Sequence, residues 1–297
     1  MPRKISIGSW AYAVGPYAKN PVPLNQVVSE LAKLGFDGVS MGGFKPHAHP
    51  DLYPGASGPR RIKDLLFANR LEVVEFSPDF GGANPLLRKE DYLAAMRRNI
   101  EFMDACGFHI LRVDTGGPPI LPDGVTYDQA FGIILEVFQE LCQLCAARHM
   151  SVTWEFEPGF LFNKPSEVLK MLNAVDRDNF NIMFDTCHAH MCGVVGARQM
   201  GEKETLAGGV KEFIDMLAGK IGVVHLIDSD NTLHNNETST HAKFGAGFLD
   251  FDQIIPHLLT KGQYVFDWWV IDLCFWPDAW RVTAECKEFM DNLNLRY

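Results

Sequence analysis

Residues 181–191 read NIMFDTCHAHM. A short apolar run, Ile182-Met183-Phe184, ends in Asp185, and His188 follows three residues later. An apolar run of this length reads as a buried strand. A carboxylate at its C-terminal tip, with an imidazole on the turn beyond, suits a metal site at the mouth of a barrel. Taken alone, the same letters also describe a strand that stops at a turn-forming Asp beside an incidental His. The ends of the other strands choose between the two readings.

Moving outward, short apolar runs alternate with longer segments of helical period. The runs are KISIGSW (4–10), FDGVSM (36–41), LEVVEFS (71–77), HILRVD (109–114), SVTWEFE (151–157), 180–185, IGVVHLID (221–228) and YVFDWWVIDL (264–273). Helices are expected over 24–34, 59–69, 90–105, 126–148 with Thr126 as cap, 166–175, 203–218, 250–260 and 278–293. Two long loops, 42–58 and 229–247, interrupt the rhythm. Strand-then-helix alternation means a parallel sheet, and eight such units close into a (β/α)8 TIM barrel. An open doubly wound sheet is the competing fold, but no G-x-G-x-x-G follows the first strand. The chain is expected to be a single domain over 1–297, with its active site at the C-terminal ends of the strands.

Bulk properties narrow the function. The 297 residues carry 27 basic and 37 acidic side chains, a net charge of -10 that repels a phosphate backbone and argues against a nucleic-acid partner. No apolar run approaches the roughly 18 residues that span a bilayer, and no leader peptide is evident, so no membrane partner and a cytoplasmic location are expected. The seven Cys are scattered. Cys142 and Cys145 have C-x-x-C spacing but fall inside a helical period, which reads as helix packing rather than a metal or redox motif.

The strand ends give a pattern. The fifth run ends in Glu155 and Glu157, the sixth in Asp185; the seventh carries His225 and Asp228, and the eighth Asp267 and Asp272. Charges inside apolar strands are costly unless neutralised. Basic residues are nearly absent from these four runs, so a divalent cation is the expected neutraliser. Three carboxylates and one imidazole suit Mn2+, Mg2+, Co2+ or Fe2+ better than a thiolate-seeking ion. Glu155 and Glu157 are two apart, so alternation leaves both facing the axis and does not rank them.

These residues together resemble the xylose-isomerase-like barrel superfamily of sugar isomerases and epimerases, which includes ketose 3-epimerases and inosose dehydratases. The resemblance runs through EFEPGFLFNKPSE, FDTCHAHM, VVHLIDSD and THAKFGAGFLDFDQI. It implies Glu155, Asp185 and His225 as metal ligands, His188 beside the substrate, and Asp228 as the outer neighbour of His225. The family usually offers a Glu on the eighth strand where this chain offers Asp272, and His241 stands near where the family has an Arg. A narrower resemblance, through SWAY, KPHAHP, STHAKFGAGFLDFD and WWVIDLCFWPDAW, is to the large subunit of C-glycoside deglycosidases. It implies 3-keto-glycosides as substrates and a small second subunit.

The expected chemistry is proton abstraction next to a carbonyl on a sugar or keto-sugar, with Mn2+ the leading metal. Glu155 is the base, while His188 and His241 are the groups to protonate a leaving group. Asp272 completes the metal ligands Glu155, Asp185 and His225. Trp10, His47, Glu157 and Asp228 are expected at the substrate, with His49, Phe160, Trp269, Trp276, Glu75 and Asp114 as further contacts. Returning the proton gives an isomerase or epimerase. Loss of a β-substituent gives a lyase of the C-glycoside deglycosidase type. An abasic-site endonuclease is the third reading, disfavoured by the acidic charge. The expected partners are a small sugar or glycoside, and either further copies of the chain or a small second subunit.

Overall fold

The computed structural model describes residues 2–297. Eight parallel strands form the barrel: β1 (Lys4–Ile7), β2 (Gly38–Gly42), β3 (Glu72–Ser77), β4 (Ile110–Val113), β5 (Ser151–Glu155), β6 (Phe180–Asp185), β7 (Ile221–Leu226) and β10 (Trp268–Ile271). Their order is β1-β10-β7-β6-β5-β4-β3-β2, and a parallel bridge from Gly8 to Ser40 links the two ends. The helices between them are α1 (Leu24–Lys33), α2 (Ser57–Asn69), α3 (Lys89–Cys106), α4 (Tyr127–Ala146), α5 (Pro165–Val175), α7 (Gly209–Met216), α8 (Phe251–Thr260) and α9 (Ala279–Arg296). The expected (β/α)8 TIM barrel is the fold.

Local chemistry accounts for the helix ends. Thr126 and Gln129 form a reciprocal capping box at the start of α4, with bonds of 3.3 and 2.8 Å. Along α4 the buried residues Ala130, Ile134, Val137, Phe138, Leu141, Cys142 and Cys145 recur at helical spacing, so both cysteines pack in the core as expected. Helix α3 stops at Gly107, whose φ of 73° is open to glycine without strain.

A small axial cluster of Val74, Met183, Val223, Trp268 and Val270 lies apart from the main core between strands and helices. Met183, Val223 and Val270 each stand two residues before Asp185, His225 and Asp272. Side-chain alternation therefore makes them the floor beneath those polar groups. The β2/β3 register shifts between Val39 and Met41. That bulge lets successive residues of β3 turn inward: Val74 joins the axial cluster, and Glu75 reaches His225.

Several boundaries differ from the sequence expectation. β1 ends at Ile7, and Ser9–Tyr12 forms a 3-10 turn that lifts Trp10 over the mouth. β6 passes directly into a short helix, α6 (Thr186–His190), capped by Asp185 itself. Helix α7 is much shorter than 203–218 because Gly208 and Gly209 open it. The segment expected as a polar loop after β7 holds an antiparallel hairpin, β8 (Asp228–His234) and β9 (Thr238–Ala242), folded across the mouth. The eighth barrel strand begins at Trp268. Asp267 thus lies at the closed end, its carbonyl accepting the Lys4 N–H at 2.8 Å, and takes no part in the rim.

Candidate metal centre

Strand register brings the polar residues together. Asp185 on β6 pairs with His225 on β7, and β10 continues the row two residues before Asp272. Glu155 ends β5. One donor atom from each of Glu155, Asp185, His225 and Asp272 lies within 4.8 Å of all the others, and all four residues are buried. His225 Nδ1 is 3.3 Å from Glu155 Oε1 and 3.4 Å from Asp272 Oδ2. Its other nitrogen, Nε2, is 3.0 Å from Glu75 Oε1, which fixes the ring.

The donor set fits a divalent cation. Glu155 Oε1, Asp185 Oδ2 and His225 Nδ1 are buried without hydrogen-bond partners, a cost that a bound cation would remove. The second oxygens are held by protein: Asp185 Oδ1 takes the His188 N–H at 2.8 Å, and Asp272 Oδ1 takes the Trp10 indole N–H at 2.9 Å and the Cys274 N–H at 2.8 Å. A ligating imidazole whose far nitrogen meets a carboxylate, as His225 meets Glu75, is the usual second layer of a metal site.

A cation absent from the sequence expectation also reaches the centre. Arg112 on β4 contacts Glu155 Oε2 through Nε at 2.8 Å and Nη2 at 2.7 Å, and pairs with Asp114 through Nη1. Burial alone would raise the Glu155 carboxyl, but Arg112 and then His225 override it and hold it well below the usual carboxylate range. Glu155 is therefore ionised. Glu157, two residues further along, behaves oppositely. Burial first, and the charge of Glu155 after it, push its carboxyl up to about 8 despite a hydrogen bond from Thr238. Structure thus ranks the two glutamates: Glu155 faces His225, whereas Glu157 faces Thr238 and His188.

His188 sits between Ser239 Oγ, 2.9 Å from Nδ1, and Glu157 Oε2, 3.2 Å from Nε2. Burial and then the neighbouring His241 lower it to about 3, so its ring is neutral. His241 goes the other way: burial opposes its charge, but Asp272 and Asp185 raise it to about 9. A divalent cation among those carboxylates would pull that value down again.

Two expected substrate residues are placed elsewhere. His47 is buried with one nitrogen 3.2 Å from Ser9 Oγ and the other 2.9 Å from the Val22 carbonyl, so it braces the 42–58 loop. Asp228 faces away from the cavity. Its carboxylate accepts backbone N–H groups of Ser229, Gly245, Gly247 and Leu249 at 2.8–3.0 Å, pinning the Gly-x-Gly turn. Neither can reach His225, whose outer neighbour is Glu75 instead. Trp269 is likewise stacked on Tyr264 in the shell core. Trp10, Glu157, Phe160 and Asp114 do line the cavity, together with His188, His241 and Asp272. That cavity measures about 670 Å3 above the four donors, with Val14, Phe44, Phe80 and Phe275 in its walls.

Arg112 and the hairpin residues Thr238 and Ser239 were missed in the sequence. A signal for Arg112 was present: a cation two residues before a strand-end acid in HILRVD, on the strand next to Glu155. The hairpin left no periodic trace in DSDNTLHNNETSTHA.

Eight parallel strands with polar groups gathered at their C-terminal ends agree with the match of residues 28–291 to the family model for the xylose isomerase-like TIM barrel. The chain belongs to that family. Within the xylose isomerase-like family, a fructoselysine 3-epimerase of Escherichia coli O157:H7 is 22% identical over 255 residues, covering 81% of this chain and 82% of the relative. An inosose dehydratase of Erwinia tasmaniensis is 22% identical over 268 residues, covering 83% and 81%. Among solved structures, a D-tagatose 3-epimerase-like protein superposes with a TM-score of 0.73 at 17% identity, covering 99% of each chain, a likeness of fold. No helix among the described residues is long and apolar enough to cross a membrane.

Proposed function

We propose that this chain is a divalent-metal-dependent enzyme acting on a sugar or keto-sugar by removing a proton next to a carbonyl. The observation that carries the reading is the four-donor set, one residue from each of four successive strand ends, with three unpartnered buried atoms facing one another. Relatives named as a 3-epimerase and a dehydratase support it, because epimerisation and dehydration beside a carbonyl both begin with loss of such a proton. Glu155, Asp185, His225 and Asp272 would hold the cation, with Mn2+ the ion best suited to three carboxylates and one imidazole. When bound, it would polarise a substrate carbonyl and acidify the adjoining C–H.

The chain's own residues do the rest. Glu155 is kept ionised by Arg112 and is the base for the proton. Asp272 is tied by Trp10 and Cys274, which suits a ligand better than a base. Glu157 and His188 form a neutral acid–imidazole pair that holds a hydroxyl and carries a proton to it. His241 stands opposite, between Asp272 and Asp185. Trp10 and the aromatic walls exclude water from the reacting carbons.

A second reading is favoured by the cavity. A volume of about 670 Å3 walled by Trp10, Val14, Phe44, Phe80, Phe160 and Phe275 exceeds the needs of one hexose. It suits a 3-keto-glycoside whose aromatic group leaves by elimination, the lyase chemistry of C-glycoside deglycosidases working with a small second subunit. Incubating the Mn2+-loaded protein with free ketoses and with a 3-keto C-glycoside separates the two: epimerised ketose supports the first, released aglycone without it the second. Glu155→Gln should lower kcat/KM by about 10²–10⁴-fold on whichever substrate reacts. A variant within a factor of about three of wild type would remove Glu155 as the base.

A further inference from the structure

We propose that Asp185, Cys187 and His241 form a second cation site beside the first, sharing Asp185, and that it takes a thiophilic divalent ion such as Zn2+. Donor atoms of the three residues lie within 4.8 Å of one another, and all three are buried. The independent observation is His241. It is only 3% exposed, yet neither ring nitrogen has a hydrogen-bond partner. A buried polar group left unpaired is costly, and a ligand on the ring would remove that cost. Its Nδ1 lies 3.4 Å from Asp272 Oδ1, and its Nε2 lies on the Asp185 side, 3.9 Å from Oδ1. That is the posture of a metal-ligating histidine: one nitrogen turned toward a carboxylate, the other open to an ion.

Asp185 would bridge the two ions through Oδ2, the unpartnered oxygen that also serves the first site. Cys187 follows on the first turn of α6, with its sulfur within 4.8 Å of the Asp185 and His241 donor atoms. Its Sγ is 3.3 Å from the Thr240 carbonyl on β9, the strand that carries His241. Coordination would break the S–H bond, pass the proton to solvent and form a sulfur–metal bond, with no change of oxidation state. A thiolate, an imidazole and a carboxylate suit Zn2+, whereas the three carboxylates and one imidazole alongside suit Mn2+ or Mg2+. The two sites differ in softness, so the centre would sort its ions. The hairpin supplies one ligand, so cation binding would also fasten the hairpin over the mouth.

The test uses metal-depleted full-length protein titrated with Co2+, a spectroscopic probe for zinc sites. Two equivalents should bind, one of them with near-ultraviolet thiolate-to-cobalt charge transfer. Cys187→Ser should lose that band and one equivalent while keeping the other. His241→Gln should lose the same equivalent with Cys187 intact, which covers the case in which the serine variant does not fold. A wild-type stoichiometry of one without the band overturns the proposal, as does a band that survives Cys187→Ser. The outcome is separable from the proposed function. His225→Ala that retains Mn2+ fully would defeat the first site, while the presence or absence of the cobalt–thiolate band decides the second.

Discussion

Replacing Arg112 by Met should destabilise the metal-free protein by about 3–5 kcal/mol, the cost of breaking a buried ion pair by deleting one partner. The value belongs at the upper end of that range. Arg112 makes two contacts to Glu155 Oε2, at 2.8 and 2.7 Å, and a third charge-assisted bond to Asp114. Met preserves most of the apolar stem, so the change is one of charge and hydrogen bonding rather than volume. Two buried carboxylates are left facing each other, and one of them must take up a proton. A divalent cation offsets the same charges, so saturating Mn2+ should narrow the gap between variant and wild type by at least about 1 kcal/mol, on top of the roughly 2.7 kcal/mol that any ligand at a hundred times its Kd contributes to a folded state. Urea unfolding followed by far-ultraviolet circular dichroism, with and without Mn2+, reads both numbers. A double-mutant cycle with Glu155→Gln should give a coupling of about 1–3 kcal/mol. A metal-free variant within about 1 kcal/mol of wild type, or an identical gap with and without the cation, would refute the idea that Arg112 and the metal share responsibility for Glu155.

Three further outcomes can be checked. Glu75→Gln, which removes the carboxylate behind His225, should weaken Mn2+ retention about 10–100-fold by competition with a chelator; unchanged retention would leave Glu75 a packing residue. Asp228→Asn should cost about 1–3 kcal/mol and loosen hydrogen exchange at Gly245, Gly247 and Leu249, with metal content unaltered; lost metal would return Asp228 to the site. Met183→Ala opens the floor beneath Asp185 and should lower stability by about 2–5 kcal/mol in thermal unfolding; a change under about 1 kcal/mol would mean that the axial layer is not closely packed.

Much of the centre was legible because barrel strands are short and their tips are marked. FDTCHAHM, VVHLID and WWVIDL each carry a polar residue at the end of an apolar run, and that contrast survives without coordinates. His47 and Asp228 were misread for a common reason. Each is a polar residue near the mouth, but whether it faces the cavity or a backbone turn depends on loop geometry, which leaves no periodic trace.

The order of strands, the closure into a barrel and three of the proposed metal ligands were contained in the letters themselves, since alternation of apolar runs with helical periods and carboxylates at run ends are one-dimensional patterns. Which glutamate faces the metal position was not. Glu155 and Glu157 are equivalent by spacing, and their tertiary contacts separate them, Glu155 meeting His225 and Glu157 meeting Thr238 and His188. The bulge that turns Glu75 onto His225, the reach of Arg112 across to β5 and the hairpin that brings His241 to Asp185 and Asp272 were also decided in three dimensions. Each joins residues far apart in the chain, and no local pattern can specify which distant side chain shares a buried charge. That is settled by where the closed barrel places its strand ends.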